Sequence, residues 1–311
     1  MNADFEKIVI VTRQTRLEEL VARFNTQAQA RFYLEHAGQD FTVIQAEHNA
    51  YSQSLSEVKA AIPTGFKQQV IDRALVTNFR FEASDLIITL GPDGLVVNVA
   101  KYAAGQPILA VNPDPQNIDG VLMPFDKNNM AEALRETLAA RTRLNTVSMA
   151  QAELEDGQTI IGFNDLFIGA NSHVSARYRL RHQGKEEQQS SSGIIVSTGA
   201  GSTGWLQSVY AGASAVVTAL GGQVIPPPDG GRLPWDAKTM IYSVREPFPS
   251  LITGTALTYG QISRGRPLEV VSQMAANGVI FSDGIEQDYL EFNSGATARI
   301  TLASQQARLV A

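Results

Sequence analysis

Through residue 145 the chain alternates between two hydrophobic patterns. Short continuous apolar runs at Lys7-Ile8-Val9-Ile10-Val11-Thr12, Phe41-Thr42-Val43-Ile44, Asp85 to Leu90 and Pro107 to Asn112 predict buried strands. Between them, apolar residues recur every three to four positions. Leu17, Leu20, Val21, Phe24, Ala28 and Phe32 share one helical face, Thr15 and Glu18 fit a capping box at its start, and Gly38 ends it. Ser54 to Ile62, Phe66 to Phe79, Leu95 to Ala104 and Asn129 to Arg143 read as further helices, with Pro63-Thr64-Gly65 separating the first two. Strands alternating with helices predict a parallel sheet covered on both faces.

Near residue 145 the pattern changes to short strands. Thr146 to Ala152, Gln158 to Gly162, Leu166 to Gly169, Ser175 to Arg181, Gly193 to Ser197, Thr239 to Val244, Leu268 to Ser272 and Val279 to Ser282 all fit strands. Asp156-Gly157, Gln183-Gly184 and Asn277-Gly278 are turn signals between them. One helix is expected from Trp205 to Leu220, followed by a Gly/Pro-rich loop from Gly221 to Pro234. The expected architecture is an α/β domain, residues 1–145, followed by a β-rich domain, residues 146–311.

Two strand ends stand out chemically. Gly193-Ile194-Ile195-Val196 runs straight into Ser197-Thr198-Gly199-Ala200-Gly201-Ser202-Thr203-Gly204-Trp205. Such a loop offers many backbone N–H groups and hydroxyls with little bulk, as chains do where the backbone approaches phosphate or ribose. It lacks the Gly-Lys-Ser/Thr of a P-loop, and Ala200 stands where a hydrolase elbow needs Gly. The second strand end, Leu86 to Leu90, runs into Gly91-Pro92-Asp93-Gly94. That tetrad fits a simple turn with Pro at its second position. It also fits a phosphate site at a helix N-terminus, with a carboxylate to accept a hydroxyl proton or help hold Mg²⁺. Asp93 and Asn112 both sit at the carboxyl ends of strands, where open parallel sheets bind ligands. Asn164-Asp165 and Ser282-Asp283-Gly284 fit turns equally well, although an amide at Asn164 would suit a ribose hydroxyl or a base. We read the two strand ends as two walls of one nucleotide site.

Composition narrows the classes. A net charge of −6 argues against a nucleic-acid surface. No cysteine is present, which removes disulfides, thiolate metal sites and cysteine nucleophiles and fits a reducing compartment. The histidines, His36, His48, His173 and His182, show no metal-ligand spacing, and no residue is assigned as a metal ligand. Met1 to Lys7 is charged and lacks a signal-peptide core, and no apolar run is long enough to span a membrane. A cytoplasmic protein without membrane or nucleic-acid partners is expected.

Taken in order, these pieces resemble the NAD kinase family. Its Gly-Gly-Asp-Gly-Thr loop, Asn-Glu pair, Thr-Pro-Thr-Gly-Ser-Thr-Ala-Tyr loop and late Asp-Gly stand here as Gly91-Pro92-Asp93-Gly94-Leu95, Asn164-Asp165, Thr198 to Trp205 and Asp283-Gly284. The resemblance is greatest to the mitochondrial-type branch and its bacterial relatives, through Val111-Asn112-Pro113-Asp114-Pro115, Ser191-Ser192-Gly193, Ser243-Val244-Arg245-Glu246-Pro247 and Glu291 to Ala296. It implies a Rossmann-like domain and a β-sandwich-like domain with the site between them, the extreme C-terminus returning to the first. It also implies ATP as phosphoryl donor, NAD as acceptor at the 2′-hydroxyl of its adenosine ribose, Mg²⁺, and a homodimer or higher homo-oligomer.

Carried over residue by residue, Asp93 would orient or deprotonate the hydroxyl, and Gly91 and Gly94 would let phosphates approach. Asn164 and Asp165 would hold the ribose or adenine. Thr198, Gly201, Ser202 and Thr203 would line the nucleotide loop, with Asn112 and Asp283 contributing and Lys101 and Arg245 supplying positive charge. Pro92 replaces Gly and removes a donor, Leu95 replaces Thr, Asp165 replaces Glu, and Gly199 replaces Pro. Two other readings stand beside the kinase: a kinase of the same fold with another hydroxylated acceptor, and a catalytically silent NAD(P)-binding regulator.

Overall fold

The computed structural model describes residues 5–311; residues 1–4 of the charged stretch Met1 to Lys7 lie outside the described residues. The chain forms two compact units, one ending at Asn145 and including Ala307–Ala311, the other Thr146–Gln306.

The first unit is α/β. Its elements are β1 (Lys7–Thr12), α1 (Arg16–Phe24), α2 (Gln27–His36), α3 (Phe41–Ala61), β2 (Lys67–Asp72), β3 (Asp85–Leu90), α4 (Asp93–Tyr102), β4 (Pro107–Val111) and α5 (Met130–Leu138). The strands run parallel in the order β2-β1-β3-β4, with Arg308 and Leu309 of the chain's last strand paired to Pro107 and Ile108. Every residue of β3 and β4 is buried, which is why both read as mostly apolar runs without alternation. Ile8, Ile10, Leu86, Ile88, Leu90, Leu109 and Val111 pack on Tyr51 and Val58 of α3 and Met130 and Leu134 of α5.

Four expectations for this unit are corrected. Phe41 to Ile44 is the first turn of α3, not a strand. Asp40 caps it by accepting the Thr42 N–H at 2.8 Å, and Phe41 and Ile44 bury together with Leu17 and Leu34 while Val43 is 60% exposed. A helical i, i+3 pairing thus overrides local β-propensity. Phe66 to Phe79 is not one helix but β2 followed by a 3₁₀ turn, Arg73–Asn78. Its polar Lys67-Gln68-Gln69 suits an exposed sheet edge. The helix expected from Thr15 to Gly38 is two helices. The capping box at Thr15 and Glu18 is present, but Asn25 adopts φ 65° and Thr26 caps a new start, which leaves Phe32 62% exposed. Finally, α5 stops at Leu138, short of Arg143, and Ala140 follows with φ 54°.

The second unit is β-rich. It contains β5 (Leu144–Leu154, from Thr146 onward), β6 (Thr159–Gly162), β7 (Asp165–Ala170), β8 (Ala176–His182), β9 (Lys185–Ser191), β10 (Ile194–Ser197), α6 (Trp205–Ala219), β11 (Thr239–Val244), β12 (Tyr259–Ser263), β13 (Leu268–Ser272), β14 (Gly278–Ser282), β15 (Ile285–Glu291) and β16 (Thr297–Val310, to Gln306). One sheet is antiparallel throughout, in the order β12-β11-β10-β7-β14-β15; in the other, β16, β13, β8 and β9 run antiparallel. Leu166, Ile168, Ile194, Val196, Tyr242 and Ile280 of the first sheet share a core with Tyr178, Leu180, Val270 and Ile300 of the second. That is a sandwich packing. Strands β9, β12, β15 and β16 were not expected from the sequence. Among the described residues no helix is long and apolar enough to cross a membrane.

Candidate functional site

In the first unit the candidate chemistry sits where β3 hands over to α4. Pro92 is the N-cap of α4, with φ −73°, and gives no side-chain cap. Asp93 therefore opens the helix, where the unpaired N–H groups and the macrodipole favour a negative group. Its carboxylate is gripped from the opposite side by a distant loop. Oδ1 accepts the Leu122 N–H at 3.0 Å and Oδ2 accepts the Val121 N–H at 3.1 Å. Two bonds to two oxygens fix the plane of the carboxylate, and each oxygen keeps a lone pair.

Asn112 organises that loop. Its Oδ1 accepts the Asp114 N–H at 3.0 Å, its Nδ2 donates to the Ile118 carbonyl at 2.8 Å, and its own N–H donates to the Phe125 carbonyl at 2.7 Å. Both side-chain atoms are thus engaged within the protein. The two glycines of the tetrad differ. A Cβ at Gly91 would lie 2.8 Å from Cδ2 of Leu95, which is 2% exposed; a Cβ at Gly94 would meet nothing within 4 Å. Gly94 leaves open space beside Asp93, while Gly91 is closed by Leu95. Lys101 is not brought to this loop. It is buried in the last turn of α4, roughly 12 Å along the helix axis from Asp93, with Nζ 5.9 Å from the Tyr102 ring centroid.

In the second unit Asp165, Ser197, Thr198, Gly201, Ser202 and Asp283 are brought together. Asp165 and Ser197 are cross-strand neighbours on β7 and β10. Ser197 Oγ donates to Asp165 Oδ1 at 2.5 Å. Asp283, in the turn after β14, accepts the N–H groups of Phe163, Asn164 and Asp165 at 2.9, 2.7 and 3.1 Å, so it is an anchor for that turn. Burial pushes the Asp165 carboxyl up to about 7, with the Ser197 bond opposing the rise and the nearby Asp283 charge adding to it. Asn164 is only partly buried, and its side-chain amide has no hydrogen-bond partner among the described residues.

The hydroxyl-rich loop is engaged inwardly. Thr198 Oγ1 donates to the Phe163 carbonyl at 2.6 Å and accepts the Gly201 N–H at 3.2 Å. Ser202 Oγ donates to the Gly199 carbonyl at 2.7 Å and accepts the Leu233 N–H at 2.9 Å. Both residues are fully buried. Thr203 is exposed and donates to the Ala200 carbonyl at 3.3 Å. The glycines allow close backbone approach: a Cβ at Gly199 would overlap the Pro234 carbonyl, and one at Gly201 the Asn164 carbonyl.

Sequence reading missed a cavity of about 500 Å³ in this unit, lined by Phe167, His173, Trp205, Arg245, Phe281 and Tyr289 among others. Phe167 stacks on Phe281 at 4.8 Å, and the Phe167 and Trp205 rings lie 6.0 Å apart and nearly parallel. The Arg245 guanidinium sits 5.5 Å from the Trp205 ring centroid, with Nη2 3.7 Å from Glu246. Arg245 thus brings its charge to this ring-lined cavity. The available signal was the pair Phe167 and Phe281, which are register partners on β7 and β14.

No family model matches the sequence. It is 25% identical over 127 residues to the NAD kinase of Chlorobaculum tepidum, spanning 40% of this chain and 44% of that protein. It is 28% identical over 184 residues to that of Caldicellulosiruptor bescii, spanning 58% and 68%, and 31% identical over 134 residues to that of Acidithiobacillus ferrooxidans, spanning 40% and 44%. The chain spans about half the length of the curated relatives it matches. Among solved structures, yeast NADH kinase complexed with NADH matches with a TM-score of 0.59 at 15% identity, over 98% of this chain and 83% of that one. An NAD kinase from Archaeoglobus fulgidus in complex with ATP matches with a TM-score of 0.53 at 17% identity, over 98% and 93%.

The chain is similar to NAD kinases over part of its sequence and shares their fold.

Its α/β fold, with a mostly parallel sheet and a separate antiparallel six-stranded sheet, is that of the NAD kinase structures. Among the described residues no three His, Cys, Asp or Glu side chains stand together as a metal cluster.

Proposed function

We propose that this protein is an NAD kinase of the mitochondrial-type branch, a cytoplasmic homo-oligomer that moves the ATP γ-phosphate to the 2′-hydroxyl of the adenosine ribose of NAD. The observation that carries the reading is the Asp93 carboxylate, held in one plane by the Val121 and Leu122 amides beside the open space at Gly94. Phosphoryl transfer asks little covalent chemistry of a protein; positioning and charge do most of the work. A hydroxyl donating to the remaining lone pair of Asp93 is oriented for attack, and the carboxylate takes its proton. The free N–H groups at the start of α4 face the negative charge of a phosphate. Asn164 offers an amide to a ribose hydroxyl or a base edge, and the cavity of Trp205 and Arg245 suits a planar ring. Mg²⁺ would be carried chiefly by the substrate phosphates, and Asp93 would be the protein carboxylate that helps to hold it. When bound, it neutralises charge on the transferring group.

Two variants test the reading. Gly94→Ala should leave the melting temperature unchanged or raise it, because the position is open, helical and of ordinary backbone conformation. The same substitution should weaken ATP binding about tenfold by titration calorimetry if phosphate occupies that space. Asn164→Ala should raise the KM for NAD about tenfold with little change in kcat, since it removes one polar contact made equally in the ground and transition states. Unchanged ATP affinity in the first variant and unchanged KM in the second would contradict the assignment.

A silent NAD(P)-binding regulator is the second reading. It is favoured by one observation: Leu95 closes the space over Gly91 while Pro92 brings no N–H, so the loop offers few phosphate donors. It predicts nucleotide binding without turnover. Comparing ATP and polyphosphate as donors, with NAD, NADH and simple sugars as acceptors, separates all these readings.

A further inference from the structure

A cavity of about 920 Å³ in the first unit lies at the opposite end of the parallel sheet from Asp93. It is framed by the residues before β3 and β4, the ends of α4 and α5, and Arg308. The length of β3 separates it from the Gly91 loop by roughly 17 Å. Its size suits a small organic ligand. The walls are ring-rich, with Phe79 and Phe81 edge to face at 4.9 Å and Tyr102 also in the lining.

The polar groups of the wall are unevenly satisfied. Gln106 is 5% exposed, and its Nε2 donates to the Phe81 and Glu82 carbonyls at 3.2 and 3.0 Å. Those two bonds fix the amide orientation and leave Oε1 buried with no partner. A buried acceptor left unpaired calls for a donor. The ends of α4 and α5 bring further carbonyls and the negative poles of two helices to the same cavity. Two arginines also line it: Arg308 Nη1 donates to the Gly105 carbonyl at 3.3 Å, and the exposed Arg80 lies 3.8 Å from Glu82.

We propose that this cavity is a second ligand site, for an uncharged planar heteroaromatic ring bearing an N–H donor and lacking phosphate. The rings take the faces of such a ligand, and Gln106 Oε1 accepts its N–H. The acceptors and helix C-termini disfavour an anion. The site is independent of the phosphotransfer reading, because none of its residues belongs to the Asp93 or Asn164 machinery.

The test uses the full-length protein, isotope-labelled, titrated with adenine as the neutral N–H donor and with benzoate as an anionic ring without one. Saturable adenine-induced NMR shifts at the Gln106 side-chain amide and at Phe81, with none from benzoate, are expected. Gln106→Leu should weaken adenine binding about tenfold. Ala104→Trp, which adds a ring at an exposed position on the cavity wall, should abolish it while leaving the fold intact. Absence of saturable shifts at these residues, unaltered adenine binding in Ala104→Trp, or benzoate binding as tightly as adenine would overturn the proposal. Adenine shifts confined to Asn164 and its neighbours would do so too, while leaving the phosphotransfer reading standing.

Discussion

Gly201→Ala is expected to cost the second unit about 3 kcal/mol or more and to lower its melting temperature by roughly 6–12 °C. The added methyl would overlap the Asn164 carbonyl and lie 2.8 Å from Asp165 Oδ1. The carbonyl is backbone in the turn that Asp283 anchors through three amides, so it has nowhere to go. The carboxyl is already bonded to Ser197. The loop moves, then, or the turn does. Thermal unfolding followed by circular dichroism reads the outcome, with Gly94→Ala as the control that adds the same methyl to open space. Equal melting temperatures for the two variants would show that the loop does not sit against Asn164.

Asp165→Asn is expected to stabilise the protein above neutral pH and to flatten its pH–stability curve. The unfolded chain releases this proton near the ordinary value of 3.8, and the folded chain holds it until about 7. Between those values the folded state binds the extra proton. Stability from this residue therefore falls as pH rises from about 4 to about 7, then levels off. Three pH units of such a difference amount to at most about 4 kcal/mol. Asparagine keeps an oxygen to accept the Ser197 hydroxyl and carries no charge to bury. Denaturant titrations of both proteins at pH 5 and pH 8 check this. The variant should gain more on the wild type at pH 8 than at pH 5, and a gain of the same size at both would reject the buried, proton-holding carboxyl.

Much of the fold was legible because burial on both faces leaves no ambiguity. β3 and β4 are apolar at nearly every position and are bounded by Gly and Pro. The strands of the second unit were visible through alternation and through turns such as Gln183-Gly184, both in left-handed backbone. Elements that bury little were not. β9 begins Lys185-Glu186-Glu187-Gln188-Gln189 and lies at a sheet edge, so it carries no apolar signature. The Phe41 turn misled because four residues cannot distinguish a β-branched strand from the start of a long helix.

The candidate site was legible in composition more than in geometry. Asp93 was marked by its place after a buried strand, but the amides that fix it lie 28 and 29 positions further on, beyond any local pattern. The Ser/Thr/Gly loop was marked by its hydroxyls, yet Thr198 and Ser202 use theirs on the protein's own carbonyls and amides. Small polar residues serve a tightly folded loop and a phosphate loop alike, and only neighbouring atoms distinguish the two.

The most direct measurement is NADP formation by the purified protein with NAD, ATP and Mg²⁺, run beside Asp93→Asn. NADP made by the wild type, with turnover falling by about 10²–10⁴ in the variant while nucleotide affinity holds, is the result predicted for a positioned general base. Tight NAD binding with no NADP from either protein would contradict the phosphotransferase and leave the binding protein in its place.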